Sequence, residues 1–279
     1  MRSVFVAVVA VAFLALSAAP LYAITFGEPD GNDHPNVGSI VLDIPDVGLF
    51  QFCSGTLVPP KAPHSGVFLT ASHCTDPLDG IIAQFPGAEV KVTFDPEIDE
   101  SGTFFTGTWV TNPNYNGFQG KGGRSDPGDV AVILLDQNPG ITPAQFPSAG
   151  LLDQLQAQGL LRNTRFTAVG YGSVRDTMTG GFQSIDPGNL ARNRAEQGFN
   201  SLTKAWLNLP MVNTPGNVNG GTCYGDSGGP HFIHLNGVET NIVASITVTG
   251  DAPCKATDVT YRMDTDSARS FLDDYALLP

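Results

Sequence analysis

The residues best suited to chemistry lie in the segment Cys223-Tyr-Gly-Asp-Ser-Gly-Gly-Pro230, where Ser227 follows an aspartate and precedes two glycines. A serine hydroxyl is a poor nucleophile unless a base removes its proton and hydrogen-bond donors stabilise the oxyanion that forms. The backbone N–H groups of Gly225 and Ser227 are the candidate donors. This segment therefore predicts a nucleophile whose base lies elsewhere in the chain.

The candidate base is His73, which follows the apolar run Gly66-Val-Phe-Leu-Thr70. Asp129 opens a second apolar run, residues 129–135, and both runs predict buried strands. An aspartate at the start of a buried strand is costly unless a group pairs with it, and a histidine proton is a natural partner. Asp129 would then orient His73, and His73 would take the proton from Ser227.

The three motifs occur in the order His, Asp, Ser, and the chain resembles the chymotrypsin-like (trypsin-fold) serine proteases. Subtilisins and α/β-hydrolases arrange the same chemistry in a different order. Residues 53–58 resemble the cysteine strand before the family's histidine, and residues 169–172 resemble its Gly-Trp-Gly turn with Tyr171 in place of Trp. The roles assigned to His73, Asp129 and Ser227 are those of the family's catalytic triad.

Taken singly, each of these residues also has a structural explanation. An aspartate at a strand start is often a turn former, and Gly-Gly-Pro is ordinarily a bend. Three motifs in one order favour the catalytic interpretation. The remaining histidines lack such neighbours and are interpreted as surface or packing residues: His34, His64, His231 and His234.

The first 23 residues are typical of a secretory signal peptide. Arg2 precedes an apolar run, residues 4–19, that ends in small residues and is short for a membrane span. We expect cleavage after Ala23 and a secreted, extracellular protein without a membrane span, although Leu21 is larger than usual at its position. An uncleaved anchor is the alternative.

Cleavage after Ala23 would make Ile24 the N-terminus. The resemblance implies that its α-amine pairs with Asp226, because a buried carboxylate needs a cation, and that this pair sets the backbone from Gly225 to Ser227. Signal peptidase would then activate the enzyme itself. Alternatively, Ile24 is an early strand residue and maturation occurs elsewhere.

Four cysteines allow three pairings, and no two have the short spacing of a zinc site. The resemblance implies disulfides Cys53–Cys74, bracing the His73 loop, and Cys223–Cys254, tying the nucleophile loop to the pocket wall. We expect no metal and no cofactor.

The whole chain has 14 basic and 27 acidic residues and a formal charge of −13. This charge disfavours nucleic acid and anionic membranes as partners. The solubility of an exported protein is enough to explain this negative charge, and net charge alone does not establish a preference for basic substrates. The expected partners are protein or peptide substrates, and we expect a monomer.

Short apolar runs separated by glycine and proline predict an all-β protein, with helical periodicity only at residues 151–160 and 267–278. The resemblance implies two packed six-stranded antiparallel β-barrels with a C-terminal helix and the site between them. The N-terminal barrel would span residues 24–136, a linker residues 137–149, and the C-terminal barrel residues 150–279.

The resemblance also places the substrate pocket. Gly221 falls at its floor, where trypsin-like enzymes have aspartate, and Ser245 and Thr247 fall on a wall. Thr247 should narrow the pocket. Asp258 falls on the back wall, where it would meet a basic side chain, or else it is a solvated loop acid. We therefore predict a preference for small to medium residues with some tolerance for Arg and Lys.

The sequence predicts a secreted serine endopeptidase that acts through an acyl-enzyme. A catalytically inactive homologue that binds partners is the alternative from another class. Acyl transfer on esters is a third interpretation, which the triad alone does not exclude.

Overall fold

The computed structural model describes residues 24–117, 126–175, 177, 179–212 and 219–279. The signal-peptide prediction, residues 1–23, lies outside this part of the chain. The described residues form strands β1 (Ile24–Thr25), β2 (Glu28–Pro29), β3 (Val37–Ile44), β4 (Gly48–Val58), β5 (Gly66–Thr70), β6 (Glu89–Thr93), β7 (Gly107–Thr111), β8 (Ala131–Leu135), β9 (Phe166–Gly170), β10 (Val174–Arg175), β11 (Asn193–Gln197), β12 (Ser201–Leu202), β13 (Trp206–Pro210), β14 (Pro230–Leu235), β15 (Val238–Gly250) and β16 (Thr257–Arg262). Helices are α1 (Ser72–Thr75), α2 (Leu78–Gln84), α3 (Leu151–Ala157) and α4 (Asp266–Leu272).

The first sheet has six antiparallel strands in the order β6-β3-β4-β5-β8-β7. Val92 on β6 and Phe105, just before β7, exchange two backbone hydrogen bonds of 2.8 Å, so the two edges of the sheet meet. The central strand β5 is buried along its whole length, as expected for a continuous apolar run. Sequence and structure agree on its bounds.

The second sheet has eight strands in the order β12-β13-β16-β15-β14-β9-β11-β2. It exceeds the expected six because two strands of two residues each, β2 and β12, extend its edges. The predicted fold class is confirmed: the protein is mostly β, with two curled sheets and a C-terminal helix.

Two connections hold the sheets together. Within residues 137–149, Ala144 donates its N–H to Leu57 O on β4, while Gln145 donates to Asn241 O and accepts from Val243 N–H on β15. The residues after α4 return to the connection between β4 and β5, where Lys61 N–H donates to Tyr275 O at 2.8 Å. The predicted helix over residues 267–278 therefore ends at residue 272, because the following backbone bonds to the β4–β5 connection instead.

The larger of two apolar clusters runs through both sheets. It includes Phe68 and Phe94 from the first half and Phe232 and Ile246 from the second. Because each sheet buries its inner face against this shared cluster, the two halves hold a fixed mutual position.

A buried arginine also joins the halves. Arg192 is almost fully buried; its Nε donates to Asp30 Oδ2 at 2.8 Å, and its Nη1 donates to Val37 O and Phe94 O, each at 2.9 Å. These acceptors lie in the N-terminal segment and the first sheet, whereas Arg192 directly precedes β11 of the second.

His34 extends this polar network. Its Nδ1 contacts Asp30 Oδ1, its Nε2 lies 2.8 Å from Glu239 Oε1, and its ring stacks on Phe232. Burial lowers the pKa of His34, but the hydrogen bonds to Asp30 and Glu239 outweigh that effect and raise the pKa to about 9. The histidine is therefore a cation between two carboxylates.

Candidate active site

Strand pairing brings His73 and Asp129 together. His73 lies on α1, directly after β5, and Asp129 lies just before β8, which pairs with β5. Asp129 Oδ2 is 2.9 Å from His73 Nδ1, and Asp129 Oδ1 accepts the His73 backbone N–H at 2.9 Å. The carboxylate is fully buried and the imidazole is partly exposed. If Nδ1 donates its proton to Asp129, Nε2 is the nitrogen of the neutral ring that can act as a base.

Ser227 lies next to the His73 turn. Ser227 O accepts from Ser54 N–H on β4 at 2.9 Å, and Cys74 Sγ is 3.7 Å from the same oxygen. The approach is close enough to require glycine at the next position: Gly228 has φ +79°, and a Cβ there would lie 2.8 Å from Ala71 N. The half-buried Ser227 is thus held against the segment that carries the histidine.

Within the described part of the chain, the backbone N–H groups of Gly225 and Ser227 have no acceptor. Gly225 has φ +94°, and its carbonyl accepts from Gln51 Nε2 at 2.9 Å and from Ser54 Oγ at 3.0 Å. The peptide group that follows Gly225 is therefore fixed by β4. An unbonded N–H pair beside a serine is suited to stabilise an oxyanion.

Asp226 is fully buried behind this loop. Its Oδ1 accepts from Gly172 N–H and its Oδ2 from Cys223 N–H, both at 2.8 Å. Burial raises the pKa of Asp226 to about 7; the two N–H bonds oppose the shift and the charge of Asp258 adds to it. No basic side chain among the described residues forms an ion pair with Asp226.

Ile24 lies beside the same loop. Its side chain is fully buried, β1 pairs in parallel with β10, and Thr25 N–H donates to Gly221 O at 2.8 Å. Val174 of β10 lies two residues after Gly172, and Gly221 lies two residues before Cys223. Gly172 and Cys223 are the residues whose N–H groups donate to Asp226. The segment at Ile24 therefore adjoins the Asp226 site from two sides.

All four cysteines are paired. Cys53–Cys74 has an S–S distance of 2.02 Å and Cys223–Cys254 one of 2.19 Å. These are the pairs that the resemblance implies. Cys53, Cys74 and His73 are close enough to suggest a metal site, but both sulfurs are consumed by the disulfide and offer no thiolate.

A cavity of about 240 Å³ opens beside Ser227. It is lined by residues 222–224, Ser227, residues 247–252 and Cys254. Thr247 lines it, as expected. Within the described chain, the other three predicted pocket residues are buried outside its lining: Gly221, Ser245 and Asp258.

The space next to Gly221 is already occupied. A Cβ there would lie 2.7 Å from Gln197 Nε2 and would also collide with Met211. Ser245 Oγ accepts a hydrogen bond from Thr260 Oγ1 at 2.7 Å, facing the strand neighbour. Gly221 and Ser245 therefore do not contribute to the surface of the cavity.

Asp258 is fully buried, so its interpretation as a solvated loop acid is wrong. Its Oδ2 is 3.1 Å from Gln197 Nε2, 3.1 Å from His231 Nε2 and 3.3 Å from Thr222 N. Thr222 lines the cavity, and the carboxylate lies directly behind it. Sequence reasoning missed His231 and Gln197, since neither belongs to a motif.

The model of the Trypsin family matches residues 28–269, nearly all of the described chain. The chain belongs to the trypsin family. This match confirms the recognition of a chymotrypsin-like, trypsin-fold serine protease. No curated protein matches this trypsin-family chain closely enough to count as a relative. No helix in the described part of the protease is long and apolar enough to cross a bilayer.

Proposed function

We propose that this trypsin-family chain is a secreted serine endopeptidase that hydrolyses peptide bonds through Ser227, His73 and Asp129. The observation that carries the proposal is the two-point contact between Asp129 and His73, next to a serine whose neighbouring N–H groups lack acceptors. A structural ion pair would not need an unbonded N–H pair beside it.

Each residue has one task in the acylation step. Ser227 Oγ attacks the peptide carbonyl and gives its proton to His73 Nε2. Asp129 then stabilises the imidazolium through the contact at Nδ1. The carbonyl oxygen becomes an oxyanion and accepts from the N–H groups of Gly225 and Ser227.

Collapse of the intermediate breaks the C–N bond, and His73 donates its proton to the leaving amine. An acyl group then remains on Ser227 Oγ. Water, deprotonated by His73, attacks this ester and regenerates the enzyme. The chain's own residues supply each proton transfer.

The activation proposal pairs the α-amine of Ile24 with Asp226. It is supported by the position of β1 beside the Asp226 loop and by a buried carboxylate whose pKa of about 7 reflects a site without a cation. An α-amine there would favour the ionised form and fix the backbone at Gly225. The signal peptide, cleavage after Ala23 and secretion are parts of the same proposal, and the two disulfides support an oxidising compartment.

For substrate preference, we propose small to medium side chains. Threonines 222, 247 and 249 line the cavity beside Ser227, and Asp258 lies behind Thr222, away from the cavity surface. Tolerance for Arg or Lys would require the side chain to reach Asp258 past that wall. A peptide panel cleaved by the parent and by Asp258→Ala tests this: if basic residues are cleaved equally well by both, Asp258 has no part in their acceptance.

Replacing Ser227 with Ala tests the main proposal. Turnover should fall by several orders of magnitude, with far-UV circular dichroism unchanged. An organophosphate should label the parent at Ser227 and leave the variant unlabelled.

Two outcomes point to the alternatives. No labelling and no turnover in the correctly processed parent would indicate an inactive homologue that binds partners. Ester hydrolysis without cleavage of any peptide would indicate an acyl-transfer enzyme of different specificity.

A further inference from the structure

One buried hydroxyl links the two halves of the protein behind the oxyanion donors. Ser54 lies on β4 and is fully buried. Its Oγ donates to Gly225 O at 3.0 Å and accepts from the N–H of Tyr171, also at 3.0 Å. Tyr171 directly follows β9 and Gly225 precedes β14, both strands of the second sheet. The hydroxyl of a first-sheet strand therefore uses its donor and an acceptor site on the other half of the protein.

The backbone of Ser54 is bonded in the same region. Its N–H donates to Ser227 O at 2.9 Å, and its carbonyl oxygen accepts from Thr70 Oγ1 at 2.9 Å. Thr70 is the last residue of β5, the strand that leads to His73. Ser54 thus connects the strand before the base with the segment that carries the nucleophile.

These bonds act on the peptide groups around the oxyanion donors. The N–H of Ser227 belongs to the peptide group between residues 226 and 227. The peptide groups before and after it carry Gly225 O and Ser227 O, and Ser54 is bonded to both oxygens. A single residue therefore holds the Ser227 N–H from both sides.

The backbone of Gly225 depends on such bonds. Gly225 has φ +94° and no Cβ, so steric contacts restrict its φ and ψ less than those of other residues. Hydrogen bonds to its carbonyl must then fix its orientation. That carbonyl accepts from Ser54 Oγ and from Gln51 Nε2, which lies at 2.9 Å.

We propose that Ser54 is a positioning residue whose hydroxyl holds the N–H groups of Gly225 and Ser227 in the orientation that the transition state requires. This inference rests on the proposed endopeptidase function. Donors that are already oriented stabilise the oxyanion because they do not have to turn as its charge develops. Ser54 is not part of the lining of the cavity beside Ser227, so its hydroxyl acts through Gly225.

Ser54→Ala tests the proposal with a peptide amide substrate. Loss of a whole oxyanion donor costs about 100- to 1000-fold in kcat, whereas here Gln51 still holds Gly225 O. We therefore expect kcat to fall about tenfold, the effect of one or two hydrogen bonds. KM should stay within about twofold of that of the parent, because the oxyanion is absent from the bound substrate.

A peptide aldehyde gives a readout that a purely structural role would not change. Ser227 Oγ adds to the aldehyde carbon, its proton passes to His73, and the carbonyl oxygen becomes an oxyanion in the site. The affinity of Ser54→Ala for the aldehyde should fall by about the same factor as kcat. Its affinity for the corresponding peptide alcohol, which forms no oxyanion, should equal that of the parent.

Ser39→Ala is the matched control. Ser39 lies opposite Ser54 on β3 and is also fully buried, but its Oγ donates to Ile40 O and Cys53 O, each at 3.2 Å. This variant loses a buried hydroxyl that has no bond to the nucleophile segment. Its kcat and aldehyde affinity should equal those of the parent.

Gln51→Ala is the second variant, and it decides the question if Ser54→Ala does not fold. Gln51 is only partly buried and donates to the same carbonyl, so kcat should fall about 2- to 10-fold at constant KM. The inference is wrong if folded Ser54→Ala keeps the kcat of Ser39→Ala, or if only its KM changes. If Ser54→Ala does not fold, an unchanged kcat in Gln51→Ala overturns the inference. A parent that neither cleaves peptides nor reacts with an organophosphate would instead refute the proposed function.

Discussion

Replacing Arg192 with Met should cost about 3–5 kcal/mol of folding free energy, because it removes one partner of a buried ion pair. Arg192 and Asp30 both have side chains that are fully buried. Methionine fills much of the volume but donates no hydrogen bond to Asp30 Oδ2, Val37 O or Phe94 O. His34 still contacts Asp30, so we expect the lower end of this range.

Urea unfolding followed by tryptophan fluorescence measures the loss. The Ser227→Ala background prevents self-digestion during the experiment. Asp30→Asn combined with Arg192→Met should be less destabilising than the sum of the single changes, since the buried charge is then absent.

Arg194→Met is the control. Arg194 is partly exposed and pairs with the more exposed Glu28 and Asp33, so its loss should cost about 0–1 kcal/mol. If Arg192→Met costs less than about 1 kcal/mol, or no more than Arg194→Met, the buried network does not hold the two halves together and the reasoning fails.

Two further predictions concern pH. The pKa of His34 is raised to about 9 from 6.5, so its stabilisation is complete below pH 6.5 and is lost as pH rises to about 9, by about 3 kcal/mol in total. Urea midpoints of the parent should fall more steeply between pH 7 and pH 9 than those of His34→Gln, because only the parent loses the charge of His34 in this range. Adding one glycine before Ile24 should lower kcat/KM at pH 8, where an Asp226 that lacks its cation is ionised in a fully buried site. The gap should narrow at pH 6; equal activity of the two chains at pH 8 would count against the Ile24–Asp226 pair.

The strand that precedes His73 and the strand that follows Asp129 could be predicted, because each is an uninterrupted apolar run with a polar residue next to it. The contact between His73 and Asp129 follows from the antiparallel pairing of β5 with β8, in which Thr70 lies opposite Ala131. The motifs were therefore enough to predict that His73 and Asp129 are in contact, and the structure adds the distances between their atoms.

The polar network around Arg192 could not be predicted, because its partners are separated by up to about 160 residues and none stands in a motif. The burial of Asp258 depends on the register of β16 between β13 and β15. The end of α4 at Leu272 is likewise set by tertiary contacts. Periodicity within a segment carries no information about such distant partners.

Each end of the described chain attaches to the opposite half of the protein. β2 joins the second sheet at Arg194, while Tyr275 and Leu277 bond to Lys61 and Pro59 in the connection between strands β4 and β5 of the first sheet. Neither half would be complete if it were expressed alone. A single cut between residues 137 and 149 should therefore leave two fragments that stay associated, because the terminal residues of each fragment are bonded to the other fragment.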